Sequence, residues 1–179
     1  TRLGLGLDET HRLSPVAMEA TVKACRDFAD RAEAAGAPLY AYATSAVRDA
    51  ENRQELLAAL EAACPKLPLF ILSGEEEGRL AYRGAMSGAA GTLIDIGGGS
   101  AQVVTGGWSA SFPTGCVRAR DLCPENALLV MRDTLYGWLM ERVALPGETA
   151  APYRGVGGTI TTLGALLLRQ ETYDGGQLD

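Results

Sequence analysis

The chain has 179 residues, and its 16 Lys plus Arg stand against 22 Asp plus Glu for a formal charge of −6. That balance supplies no positive field to displace counterions from nucleic acid or to grip an anionic membrane, and no stretch approaches the ~20 apolar residues that span a bilayer. Hydrophobic residues make up 47% of the chain and aromatic ones only 6%, which reads as a globular protein, of one domain or two small ones, with a core of small aliphatics.

In chain order, the alternation of Leu3, Leu5 and Leu7 predicts a short strand. Ser14-Pro15 offers a capping hydroxyl followed by proline at the first helical position. Met18, Val22, Cys25, Phe28, Ala29 and Ala32 then recur at helical spacing as a buried face, up to Gly36. A strand over 38–43, a helix over 50–63 stopped by Pro65, a strand over 67–72 and a helix over 75–86 follow. Strand and helix alternate three times, which predicts parallel pairing in an α/β layer fold. The small residues of 87–91 mark an expected boundary between domains 1–88 and 89–179. Past it, strands over 93–96, 102–105 and 109–112 joined by glycine turns predict an antiparallel meander. A helix from about Asn126 to Val143, a Pro/Gly-rich loop over 146–152, a strand over 153–156 and a helix to about Arg169 complete the pattern.

Four cysteines, Cys25, Cys64, Cys116 and Cys123, match no zinc spacing and read as reduced thiols. With no signal peptide pattern, the expected location is the cytoplasm. The one histidine, His11, excludes a histidine-rich metal site, and a Ser-His-Asp triad unless His11 itself takes part; it reads as an exposed loop residue.

The strongest chemical signal is Asp95-Ile96-Gly97-Gly98-Gly99-Ser100. A strand ends in a carboxylate and turns through three residues without side chains, whose bare N–H groups can converge on an anion. Ser100 can add a hydroxyl donor and Asp95 can hold Mg²⁺, directly or through water. No Gly-Lys-Ser/Thr follows, so this is no Walker loop, and Gln102 stands where a dinucleotide fingerprint needs its third glycine. In Ser73-Gly74-Glu75-Glu76-Glu77-Gly78-Arg79, three carboxylates open a helix; they complement its dipole or supply a general base for water. Ala43-Thr44-Ser45-Ala46-Val47-Arg48 puts hydroxyls and an arginine at the carboxyl end of a strand, where α/β proteins bind ligands. Gly155-Val156-Gly157-Gly158-Thr159 is a glycine turn into a helix N-terminus, either a phosphate seat or a plain tight turn.

In this order and spacing the motifs resemble the exopolyphosphatase / guanosine-pentaphosphate phosphohydrolase family (Ppx/GppA) of the actin-like ATPase superfamily. The likeness includes Arg2-Leu3-Gly4-Leu5-Gly6-Leu7 and runs over essentially the whole chain. It implies an α/β fold of two ribonuclease-H-like (actin-like) lobes facing a cleft, each a mixed sheet with flanking helices, and Mg²⁺-assisted removal of terminal phosphate by water. By that likeness Glu77, ahead of Glu76, is the base. Asp95 holds the metal, and Arg48, Gly97, Gly98, Gly99, Ser100, Gly157, Gly158 and Thr159 bind phosphate. The implied partners are polyphosphate or guanosine pentaphosphate and a second copy in a homodimer. The family's opening Asp-x-Gly-Ser-Asn-Ser type loop would lie upstream of Arg2 and its last strand and helices downstream of 173–179, so both lobes are expected to be incomplete and the chain a fragment. Where the family has Thr-Glu after the serine, this chain has Ala101-Gln102, and glutamine cannot supply a carboxylate's charge. A non-catalytic actin-like sensor of a nucleotide or polyphosphate is the rival reading; a sugar or acyl kinase lobe is a third.

Overall fold

The computed structural model describes residues 1–123, 128–174 and 176, in two compact units, Thr1–Ser73 and Gly74–Asp179. The first holds α1 (Leu7–Thr10), α2 (Pro15–Ala34), β1 (Ala41–Ala43), α3 (Ser45–Asp49), α4 (Arg53–Ala63) and β2 (Leu69–Ile71). Ser14 Oγ accepts a hydrogen bond from Ala17 N at 3.2 Å, and Pro15 follows it, so α2 starts where the sequence places it. β1 and β2 pair in parallel, Ala41 opposite Leu69 and Ala43 opposite Ile71. Leu7, Leu13, Val47, Ala50, Leu56 and Leu60 form the core, with Met18, Val22 and Cys25 of α2 packed against it. Buried Asn52 locks the chain before α2: its Oδ1 accepts from Leu13 N at 2.8 Å and its Nδ2 donates to Leu13 O at 3.0 Å.

Two expectations fail in this unit. No strand forms over Leu3, Leu5 and Leu7; the chain makes turns, Gly6 sits at φ 71, and Leu7 opens α1. Leu7 enters the core while Leu5 stays 47% exposed, so the alternation never had one buried face. Phe28, expected inside, is 56% exposed, because only the first half of α2 reaches the core cluster. This unit's sheet has two parallel strands among the described residues, the pairing that the alternation of strand and helix predicts.

The second unit holds α5 (Gly74–Met86), β3 (Thr92–Ile96), β4 (Ala101–Val104), β5 (Ser109–Phe112), α6 (Cys116–Leu122), α7 (Leu128–Arg142), β6 (Tyr153–Val156) and α8 (Gly158–Leu167). Its mixed sheet has the order β5-β4-β3-β6: the first three strands are the expected antiparallel meander, and β6 joins β3 in parallel. The division between units falls at Ser73/Gly74 and not at 88/89, because α5 packs on this sheet. Gly78 makes that packing close; a Cβ there would stand 2.8 Å from Ser109 Oγ and 2.9 Å from Val104 Cγ2. Cross-strand partners share a face. Leu93 and Asp95 therefore face α5 along with their partners Val104 and Gln102, while Ile94 and Gly155 face α8. The expected helix start at Asn126 lies outside the described residues, and α6 was not foreseen.

Candidate phosphate site

β3 ends at Ile96 and the chain turns through 97–100 into β4, with Gly97 N donating to Ser100 O at 3.0 Å. The turn's carbonyls are held from one side. Cys116 N donates to Gly97 O at 3.0 Å, Val117 N to Gly98 O at 2.9 Å, and Arg118 Nε to Gly99 O. In a trans peptide the N–H points opposite to the C=O of the same unit. The amides of Gly98, Gly99 and Ser100 therefore all face away from α6, as donors on one side of the turn that could meet an anion. None of Gly97, Gly98 and Gly99 has a positive φ; what glycine allows here is close approach at Gly97 and Gly98. A Cβ on Gly98 would stand 3.2 Å from Val117 Cγ2, and one on Gly115 would collide with the Gly98–Gly99 peptide.

Asp95 lies two residues before the turn on the α5 face, half-buried, and burial pushes its carboxyl above the usual carboxylate range. Gly157 presses the start of α8 against it: φ is +89, and a Cβ there would stand 2.6 Å from Asp95 Oδ1 and 2.8 Å from Ile96 O. Gly158 and Thr159 open α8, whose first N–H groups form a helix N-terminus beside that carboxylate. Glu77 stands on α5 next to Gly78, with its Oε2 buried; Glu76 is exposed, and Glu75 pairs with Arg79 at 3.6 Å on the exposed surface. Gln102, directly across from Asp95, is buried and donates to Ser100 Oγ at 2.9 Å.

The structure thus brings Asp95, Gly97, Gly98, Gly99, Ser100 and Gly157 together, with Gly158 and Thr159 following at the start of α8, and sets α5, which carries Glu77, on the same face of the sheet as Asp95. Arg48 belongs to the first unit. There its Nη1 donates to Leu72 O at 2.8 Å and its Nε lies 3.4 Å from Asp49 Oδ1, which ties α3 to the end of β2. Gly115 and Arg118 were missed by sequence reasoning. A glycine just ahead of a short helix was the available signal for the first; nothing local marks the second.

A divalent cation fits these residues in one way. Among the described residues no three His, Cys, Asp or Glu side chains cluster to make a protein cage. The lone half-buried Asp95 suits the manner of Mg²⁺, which takes one or two carboxylates and completes its shell with water and phosphate oxygens. Among the described residues no helix is long and apolar enough to cross a membrane.

Two α/β units, the second with a mixed sheet whose strand-end carboxylate precedes a glycine turn, have the fold of the actin-like class. Within that class the chain belongs to the Ppx/GppA phosphatase family, whose model matches residues 1–174. It is 34% identical over 97% of its length to exopolyphosphatase 2 of Mycobacterium tuberculosis, of which it covers 61%. Among solved structures it matches the Aquifex aeolicus Ppx/GppA family member at 28% identity and TM-score 0.68, covering 96% of this chain and 60% of that one. An exopolyphosphatase from Cytophaga hutchinsonii shares the fold with TM-score 0.80 at 21% identity, over 95% and 61% of the two chains. The chain spans about three fifths of the length of these relatives.

Proposed function

We propose that the protein removes terminal phosphate from inorganic polyphosphate by attack of water, with guanosine pentaphosphate as a second substrate of the same anhydride chemistry. The observation that carries this reading is the row of amides from Gly98 to Ser100 turned away from α6 beside Asp95. Phosphoryl transfer asks mainly for positioning and for neutralisation of spread negative charge. The turn supplies fixed N–H donors for the phosphate oxygens, and the N-terminus of α8, with Gly158 and Thr159, adds more. Asp95 would hold Mg²⁺, which supplies charge neutralisation at the phosphate when bound. Glu77, whose Oε2 is buried, accepts the proton of the attacking water, a role worth about 10²–10⁴ in rate. Arg48, a residue of the first unit, is a further phosphate ligand in this reading. The four free thiols agree with a cytoplasmic setting, and a homodimer is the proposed assembly.

The rival reading is a sensor that binds polyphosphate without cleaving it. Gln102 favours it, since an uncharged amide stands across from Asp95. Release of inorganic phosphate from polyphosphate with Mg²⁺, measured on the protein and on Glu77→Gln, separates the two. Cleavage by the wild type that falls at least a hundredfold in the variant, with binding retained, is expected. Binding without release in the wild type supports the sensor, and full turnover in Glu77→Gln removes Glu77 from the chemistry.

A further inference from the structure

Gln102 is 1% exposed and follows the glycine turn by two residues. Its Nε2 donates to Ser100 Oγ at 2.9 Å and to Ser111 Oγ, its cross-strand partner on β5, at 3.4 Å. From the helix side, a Cβ on Gly78 would come within 3.5 Å of Gln102 Cβ, so strand and helix together hold the side chain in place. An amide NH₂ only donates. Ser100 Oγ therefore accepts a hydrogen bond from Gln102 and keeps its own O–H to donate to another acceptor. Ser100 is 4% exposed and closes the glycine turn, beside the amides that face away from α6.

We propose that Gln102 is a positioning residue: its side-chain amide orients the Ser100 hydroxyl as a donor to a phosphate oxygen, alongside the amides of Gly98, Gly99 and Ser100. The proposal rests on the turn being a phosphate site. A carboxylate at position 102 would act in the opposite sense. As an acceptor only, it would take the Ser100 proton for itself and leave the serine's lone pairs facing the anion. Glutamine here is more than a missing charge, because it makes this corner of the site donate throughout.

The test is a titration of tripolyphosphate into the ¹⁵N-labelled 179-residue chain, following the amide signals of Gly98, Gly99 and Ser100. The variants are Gln102→Met, Ser100→Ala and the two combined. Methionine keeps the length and bulk of glutamine without a donor. Gln102→Met is expected to weaken binding about tenfold, the worth of a hydrogen bond to a charged partner. Ser100→Ala should cost about the same, and the double variant no more than Ser100→Ala alone. Wild-type affinity in Gln102→Met overturns the proposal, as does an equal loss in the Ser100→Ala background, which would mark a packing role. Should Gln102→Met fail to melt cooperatively, Gln102→Glu replaces it; more than a tenfold loss is then expected, and unchanged affinity overturns the proposal. If tripolyphosphate moves none of the three wild-type signals, the phosphate site itself falls and this inference with it.

Discussion

Gly157 meets two demands that no other residue satisfies together. Its φ of +89 lies in the region L side chains avoid, and a Cβ would stand 2.6 Å from Asp95 Oδ1. The backbone strain alone costs about 1–3 kcal/mol, and relieving the contact means moving the carboxylate. Gly157→Ala is thus expected to lower the melting temperature by several degrees and to weaken tripolyphosphate binding more than tenfold. Calorimetry and titration check the two effects separately, and unchanged binding would detach the α8 terminus from the site. Cys25 is a residue of the opposite kind, without any role at the site. Burial, and then the neighbouring Cys64, push its thiol above the ordinary value of 9.0. The unfolded chain loses this proton first as pH rises, so the native state binds more protons within the window between the two values. Stability therefore falls as pH climbs from 9.0 through the raised value. Melting curves across that range should decline less steeply for Cys25→Ala than for the wild type. Alkylation should reach exposed Cys116 before Cys25.

The elements legible in the sequence are those whose code is local. Ser14-Pro15 fixes the start of α2, three acidic residues open α5, and the paired glycines at 106 and 107 close the turn between β4 and β5. Asp95 and its glycine turn were legible for the same reason, because the carboxylate, the turn and the serine are consecutive. α1, α3 and α6, of four, five and seven residues, were not. Helices this short have too few turns for periodicity to show and stand by tertiary contact. α6 shows what that hides, for its backbone N–H groups hold two carbonyls of a turn 19 residues upstream, at Cys116–Gly97 and Val117–Gly98. The contact depends on Gly115, where a side chain would meet the Gly98–Gly99 peptide. Gly115→Ala should push α6 off the turn and release the carbonyls that aim the amides outward. Phosphate release is then expected to fall at least tenfold, while most of the far-ultraviolet circular dichroism survives. A variant with wild-type turnover would show that the turn keeps its shape without α6.

Across the molecule as a whole, charge and proposed ligand have the same sign. A chain of formal charge −6 gains nothing at long range from a polyphosphate. What attraction exists acts through amides, a hydroxyl, the single guanidinium of Arg48 and a bound cation at contact distance, within a Debye length of about 10 Å at 0.1 M salt. Proteins that hold polyanions through rows of Lys and Arg behave otherwise: each neutralised phosphate releases counterions, and six to ten of them cost about 10³–10⁵ in affinity between roughly 50 mM and 200 mM salt. Here the long-range contribution is repulsive, and screening it should partly offset whatever the short contacts lose. Titrating tripolyphosphate at constant free Mg²⁺ over that same salt range should therefore change the affinity by less than about threefold. Chelating the cation should stop phosphate release and leave the melting temperature of the unliganded protein in place, because no group of three metal-ligating side chains among the described residues depends on an ion for its packing. A steep loss of affinity with salt would instead locate the binding energy in basic side chains such as Arg48 and Arg118, and the glycine turn would then be a secondary contributor.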